Sequence, residues 1–535
     1  MQIQLISLAT MLAVLCLACN QGAESSYDKQ EVQLITLNES VQSLKQKETN
    51  RASVGDTTKE NPLNTEDYDN IVENNFLAAT QNPLSTFSID VDEASYSNIR
   101  RFINEGSIPP PGAVRIEEMI NYFDYDYAAP VTGEPFAVYT EISTCPWNAK
   151  HQLIHIGLKG KELPVNNLPS SNLVFLIDVS GSMDEPNKLP LVQQSLKLLT
   201  GQLREKDKVA IVVYAGNAGL VLPSTAGDNK MKIKEAIDAL QAGGSTAGGE
   251  GIQLAYKIAR ENFIPNGNNR IILATDGDFN VGMSSDDELV RLIEKERQSG
   301  VFLSVLGFGM GNYKDGKMQQ LAGKGNGNHS YIDNLNEARK VLVSEFGSTL
   351  FTIAKDVKLQ VEFNPAKVQS YRLIGYENRL LAAEDFNDDA KDAGELGSGH
   401  TVTALYEIIP MGVRDEFTRP VDSLKYTSYE KMNHNNKDEV MTIKLRYKEP
   451  GGDTSKLMVH LVKDSKTPLE SSSDNFRFSA AVAEFGLLLR NSKFKQDAQY
   501  SQVLSLASSA KGKDINNYRE EFIQLVNAST SIAKK

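Results

Sequence analysis

The 535-residue chain has three cysteines, one tryptophan and six histidines, and its 56 Lys and Arg are outnumbered by 69 Asp and Glu. Two of the cysteines, Cys16 and Cys19, sit at the extreme amino terminus, so Cys145 stands alone in the body of the chain and no disulfide framework is expected. No histidine-containing triad is readable around Cys145, which reads as a packed thiol beside Trp147. A formal net charge of -13 leaves no basic surface to hold a nucleic acid. Beyond the first residues no apolar run reaches the length of a membrane-spanning helix, so the body is expected to be soluble and to form no pore. A chain this long exceeds one ordinary core, and two or three domains plus tails are expected.

The amino terminus is built differently. Ile3 to Leu17 is an apolar stretch followed by Leu17-Ala18-Cys19, which resembles the lipobox of bacterial lipoproteins. That resemblance implies a signal peptide over 1–19, lipidation at Cys19, and a protein anchored to a bacterial membrane on its periplasmic face or at the cell surface. Residues 20–83 are rich in Gln, Asn, Ser, Thr and Glu and read as a disordered tether. Within it Leu34, Leu37, Val41 and Leu44 are spaced for one short docking helix.

Residues 84–170 read as an α+β region. Phe87 to Val91 alternates like a strand, and Asp92 is placed to cap a helix carrying Tyr96, Ile99 and Ile103, with Gly106 to end it. A second helix is expected from Val114 to Phe123, then strands over Phe136 to Ser143 and Gln152 to Leu158. Two patterns here imitate catalytic motifs. Asp90-Val-Asp92 has the spacing of a phosphatase nucleophile, but Ala94 stands where Thr or Val is needed. His151 and His155 have the spacing of a zinc protease pair, but Gln152 replaces the glutamate base and the segment reads as a strand.

From 171 to 355 apolar strands alternate with amphipathic helices, as a doubly wound, mostly parallel, Rossmann-like α/β sheet requires. Strands are expected at Leu173 to Val179, Val209 to Ala215, near Leu220, at Arg270 to Asp276, Val301 to Gly309 and His329 to Asp333, with a last helix from Asn336 to Thr352. Residues 356–535 read as antiparallel strands followed by three helices. Asp385 to Leu396 imitates a calcium loop, yet Ala390 and Leu396 occupy its glycine and glutamate positions.

The chemistry gathers in the central domain. Leu173 to Ile177 is an apolar run that ends in Asp178-Val-Ser180-Gly-Ser182; Thr246 sits in the glycine-rich Gly243 to Gly249; Asp276 closes a second apolar strand and Asp278 follows it. In order, spacing and context these three segments resemble the metal-ion-dependent adhesion site of von Willebrand factor type A domains. Ser88 to Phe102, Pro109-Pro-Pro, Arg115 to Phe123, Pro146-Trp147-Asn148 and Ala274 to Gly282 extend the likeness. They resemble a bacterial lipoprotein family in which such a domain lies between a family-specific amino-terminal region and a carboxy-terminal domain of unknown function.

The resemblance implies that Ser180 and Ser182 bind a cation directly, that Thr246 does so in the high-affinity state, and that Asp178 and Asp276 act largely through water. An all-oxygen set of this kind suits Mg²⁺, or Mn²⁺ in its place. Neutral hydroxyl ligands leave cationic charge for an acidic side chain of a partner. The function expected is therefore non-enzymatic, metal-dependent binding of an envelope or extracellular protein. The alternative is a metal-dependent envelope hydrolase, in which the metal or the Asp90 region activates water.

Overall fold

The computed structural model describes residues 64–533 except 91, 132, 165–167, 245–247, 278–285, 346–350, 419–437 and 466. Cys19, Thr246, Asp278 and the Leu34 to Leu44 stripe lie outside the described residues. Ahead of the central domain come β1 (Leu77–Ala78), β2 (Leu84–Ser88), α1 (Ala94–Asn104), α2 (Ile116–Asn121), β3 (Phe136–Cys145) and β4 (Asn148–Gly160). The central domain runs through β5 (Ser171–Asp178), α3 (Leu189–Gln202), β6 (Lys208–Tyr214), β7 (Ala218–Ala226), α4 (Lys230–Asp238), α5 (Gly248–Glu261), β8 (Asn268–Thr275), α6 (Asp286–Arg297), β9 (Val301–Phe308), α7 (Asp315–Lys324), β10 (His329–Ile332) and α8 (Leu335–Arg339). After it come β11 (Thr352–Phe363), β12 (Val368–Ile374), β13 (Leu380–Leu381), β14 (Gly394–Gly397), β15 (Thr401–Pro410), β16 (Glu439–Lys448) and β17 (Lys456–Lys463). Helices α9 (Asp474–Leu489), α10 (Tyr500–Ser509) and α11 (Tyr518–Ile532) close the chain.

The central sheet has the order β10-β9-β8-β5-β6-β7 and is parallel except for β7, which pairs antiparallel with β6. Every residue of β5 and β8 is buried, because helices cover both faces. Strand alternation sorts the contacts. Leu173, Phe175 and Ile177 face α3 and α4 through Val192, Leu196, Ile233 and Ile237, while Val174 and Leu176 face α5 through Ile252, Ala255 and Tyr256. Each such fully buried aliphatic side chain contributes about 1.5–3 kcal/mol. The long closing helix expected to reach Thr352 is instead α8 and a π-turn ending at Ser344, and Thr352 already belongs to β11.

The flanking regions do not fold as two separate units. One antiparallel sheet, β1-β12-β15-β4-β3, interleaves amino-terminal and carboxy-terminal strands, and a second, β13-β2-β11-β16-β17, does the same. Their facing sides share one core, with Phe87, Leu359, Val361 and Ile443 from one sheet and Ile154, Ile156, Leu373 and Tyr406 from the other. The outer face of the first sheet is covered by α1, α2 and α9 to α11, where Trp147, Phe123, Phe478, Phe485 and Phe522 pack together. The boundaries expected at 84–170 and 356–535 thus describe two halves of one body, into which the central domain is inserted. Local periodicity cannot disclose this, since β4 and β15 pair across more than two hundred residues.

Two local expectations change as well. Order extends amino-terminal to Leu84: Thr65 N–H donates to the Gly311 carbonyl at 2.7 Å and Asp67 N–H to that of Tyr313 at 3.0 Å, so the segment from residue 64 is strapped onto the central domain. Asp92 does not cap α1, whose N-cap is Glu93 without a side-chain bond. Its carboxylate accepts instead from His329 N–H at 2.8 Å and from Arg379 at 2.9 Å.

Candidate metal centre

Asp178 is the last residue of β5 and Asp276 follows β8, so two neighbouring parallel strands deliver both carboxylates to the sheet's carboxyl edge, where open α/β sheets bind ligands. Both are fully buried, whereas Ser182 is exposed and marks the mouth of the site. The loop after Asp178 turns tightly. Ser180 N–H donates to Asp178 Oδ1 at 2.9 Å, and the Ser180 and Ser182 hydroxyl oxygens stand 3.0 Å apart. Tyr214 and Thr275 hydroxyls donate to Asp178 Oδ2, each at 3.2 Å. Burial pushes the Asp178 carboxyl up to about 6, against the pull of the Ser180 bonds.

The glycine-rich segment is tied to this loop. Gly243 N–H donates to the Val179 carbonyl at 2.8 Å and Gly181 N–H to that of Gly244 at 3.1 Å. Asp178, Ser180, Ser182 and Asp276 are thereby gathered at one edge, with the segment that leads to Thr246 anchored beside them. Among the described residues no group of three or more His, Cys, Asp or Glu is arranged to hold a metal ion. The donor set here is instead two serine hydroxyls with two carboxylates, hard oxygens throughout, which fits a hard divalent cation.

Sequence reasoning missed a fourth loop. Residues 309–314 follow β9 and bring Asn312 to the site, while Lys188, from the loop before α3, reaches across to Asp276 Oδ2 at 2.9 Å and Asn312 Oδ1 at 3.3 Å. Burial alone would raise the Asp276 carboxyl, but hydrogen bonds from Asn312 and Lys188 and the Lys188 charge hold it below the usual carboxylate value. The loops touch closely. Gly277 has φ +106, and a Cβ there would come within 2.9 Å of the Asn312 carbonyl and the Tyr313 Cα. The tandem of Gly309 and Gly311 was the available signal, but nothing local ties it to a lysine more than a hundred residues earlier.

The other candidates have structural partners. Arg379 bridges Asp90 and Asp92, at 2.9 Å to each, on the wall of a polar cavity of about 690 Å³ also lined by Arg270, Glu395 and His400. His151 Nδ1 lies 2.6 Å from Glu407, and His155 Nε2 lies 2.6 Å from the Tyr127 hydroxyl; both rings are buried in the body. Cys145 is a buried free thiol whose pKa is raised by burial. Leu396 is buried in the sandwich core, away from any ligand role.

Three family models match the chain: "von Willebrand factor" over residues 62–155, "von Willebrand factor type A domain" over 172–343, and "Uncharacterized protein YfbK, C-terminal" over 348–532. The uncharacterized protein YfbK of Escherichia coli is 45% identical over 473 residues, which cover 87% of this chain and 81% of that protein. The uncharacterized protein sll0103 of Synechocystis is 29% identical over 170 residues, 31% of this chain and 39% of its own. Among solved structures, a von Willebrand factor type A protein from Catenulispora acidiphila is 16% identical over 73% of this chain and 89% of its own, with a TM-score of 0.39. Proximal thread matrix protein 1 from the mussel byssus, solved with a zinc-occupied MIDAS motif, is 22% identical over 33% of this chain and 45% of its own, with a TM-score of 0.27. The central domain is thus a von Willebrand factor type A domain, and the chain belongs to the family of the Escherichia coli protein YfbK.

Proposed function

We propose that the protein is a lipid-anchored binding protein of the bacterial envelope whose type A domain holds Mg²⁺, or Mn²⁺, and recognises an acidic group on a partner protein without performing catalysis. The observation that carries this reading is the pairing of the Ser180 and Ser182 hydroxyls, 3.0 Å apart, beside two buried carboxylates at an exposed sheet edge. Ser180, Ser182 and Thr246 would hold the cation, with Asp178 and Asp276 orienting its water. A cation held largely by neutral hydroxyls keeps charge for an incoming carboxylate. Cys19 would carry the lipid, and the polar stretch after it would give the domain reach from the membrane.

Hydrolysis is supported less well. Asp178 is engaged by Ser180, Tyr214 and Thr275, and Asp276 by Lys188, so protein donors already occupy both carboxylates. Asp90, the other water-activating candidate, is ion-paired to Arg379. Crosslinking in intact cells, followed by capture of the protein and mass spectrometry, tests the reading. A specific envelope partner is expected from the wild type and is lost both with EDTA and in Asp178→Ala. A partner retained under both conditions would move recognition away from the metal.

A further inference from the structure

Lys188 brings an ammonium to one of the two motif carboxylates, Asp276, and its position is tightly determined. The side chain is 8% exposed, and its Nζ sits 2.9 Å from Asp276 Oδ2 and 3.3 Å from Asn312 Oδ1. Its stem lies over Gly309, where φ is +74 and a Cβ would come within 2.5 Å of Lys188 Cε. The absence of a side chain at Gly309 therefore makes room for the lysine. Asn312 is held in turn by the strap from residue 64, through Thr65 to Gly311 and Asp67 to Tyr313 on either side of it.

This ammonium changes what the site can do with a dication. An Asp276 oxygen shared with Lys188 is a poorer metal donor than a carboxylate with both oxygens available, because the ammonium already stabilises its negative charge. The charges point the same way. Counting the described Asp178, Asp276 and Lys188 alone, two carboxylates opposed by one ammonium leave a bound dication with one net positive charge, whereas the same carboxylates without Lys188 would neutralise it.

We infer that Lys188 is a positioning residue that keeps Asp276 outside the inner coordination shell, so that a bound dication retains a water-occupied position and positive charge for an acidic ligand. The inference rests on the metal-binding reading above and adds a device to it: an internal cation that weakens the resting metal site and thereby strengthens its attraction for carboxylates. Lys188 lies in the loop after Ser182 and would act through Asp276, never touching the partner itself.

Mn²⁺ serves as the probe. Calorimetric titration gives its affinity, and water-proton relaxation of the Mn²⁺-loaded protein reports how many waters the ion keeps. Lys188→Met, which retains the stem and removes the charge, is expected to bind Mn²⁺ on the order of ten-fold more tightly. Its relaxivity per bound ion should fall by the share of one inner-shell water, and acetate should displace less of the remaining water. Lys188→Arg, which retains the charge, should stay close to the wild type. Asp276→Asn gives an independent reading: relaxivity per bound Mn²⁺ is expected to stay unchanged, because Asp276 is not an inner-shell ligand. Equal or weaker Mn²⁺ affinity in a folded Lys188→Met protein, or a gain of one bound water in Asp276→Asn, would overturn the inference. A wild-type protein that takes up no Mn²⁺ would overturn the metal reading beneath it, a distinct result.

Discussion

Arg100 Nη2 donates to Glu337 Oε2 at 2.7 Å, across the seam between helix α1 of the flanking body and helix α8 of the inserted domain. The same guanidinium binds Asp333 through Nε at 2.8 Å and Glu521 of α11 through Nη1 at 2.8 Å, while the Tyr122 hydroxyl donates to Glu337 at 2.7 Å. One arginine thus joins three parts of the chain, and with Asp333 and Glu337 it is almost wholly inaccessible to solvent.

Arg100→Ala should therefore be severely destabilising. It leaves two buried carboxylates without their counter-charge, and breaking a buried pair from one side costs about 3–5 kcal/mol. Trp147, the only tryptophan and fully buried in the helical core, is a natural fluorescent probe for urea unfolding. A midpoint within experimental error of the wild type would show that the seam is held by packing alone.

The strap predicts a local effect. Glu66 Oε1 accepts from Gly311 N–H at 2.8 Å, and its other oxygen pairs with Arg101 at 2.8 Å. A hydrogen bond to a charged group contributes about 1.5–3 kcal/mol, so Glu66→Ala should speed amide exchange in residues 309–314 by at least about ten-fold. Hydrogen–deuterium exchange of this loop, with the β5 peptide as internal reference, checks it. Unchanged exchange would mean that the backbone bonds of Thr65 and Asp67 suffice.

Two buried histidines should each weaken the fold on acidification, opposing carboxyls such as Glu395 and Glu484, whose pKa values burial raises to about 7 and about 8. Burial lowers the His155 pKa to about 3 and the His329 pKa to about 4, each from an ordinary 6.5. Neutral imidazole is favoured in the fold, so the unfolded chain binds protons first. The contribution is complete above pH 6.5 and is lost as pH falls from there through the folded values. At pH 5 the two rings together account for about 4 kcal/mol of lost stability. Urea midpoints of the wild type and of His155→Gln at pH 7.5 and pH 5 isolate this contribution: on acidification the wild type should lose more stability, or gain less, than the variant, and an equal change in both would exclude His155 as a source.

Much of this arrangement is legible in the chain and some is not, for physical reasons. The apolar runs before Asp178 and before Asp276 announce buried parallel strands, because a strand covered on both faces needs no polar alternation. Oxygen side chains at their ends then mark a sheet edge, and four of the five expected metal-site residues are brought to one edge of the domain. Lys188 and Asn312 were not legible, since their meeting depends on two loops that only the folded sheet sets side by side. Asp92 misled for a related reason: a local cap competes with tertiary partners, and His329 and Arg379 supply stronger ones. The interleaved sandwich was hidden because strand periodicity tells which face is buried and never which distant strand is the neighbour.

The most direct test of the account is calorimetric titration of the purified protein with Mg²⁺, for the wild type and for Asp178→Ala. Saturable one-to-one heat is predicted for the wild type, and none for the variant, whose Ser180 loop has lost the carboxylate that holds it. Identical heats in the two proteins, or no heat in either, would contradict the metal site on which the proposed function stands.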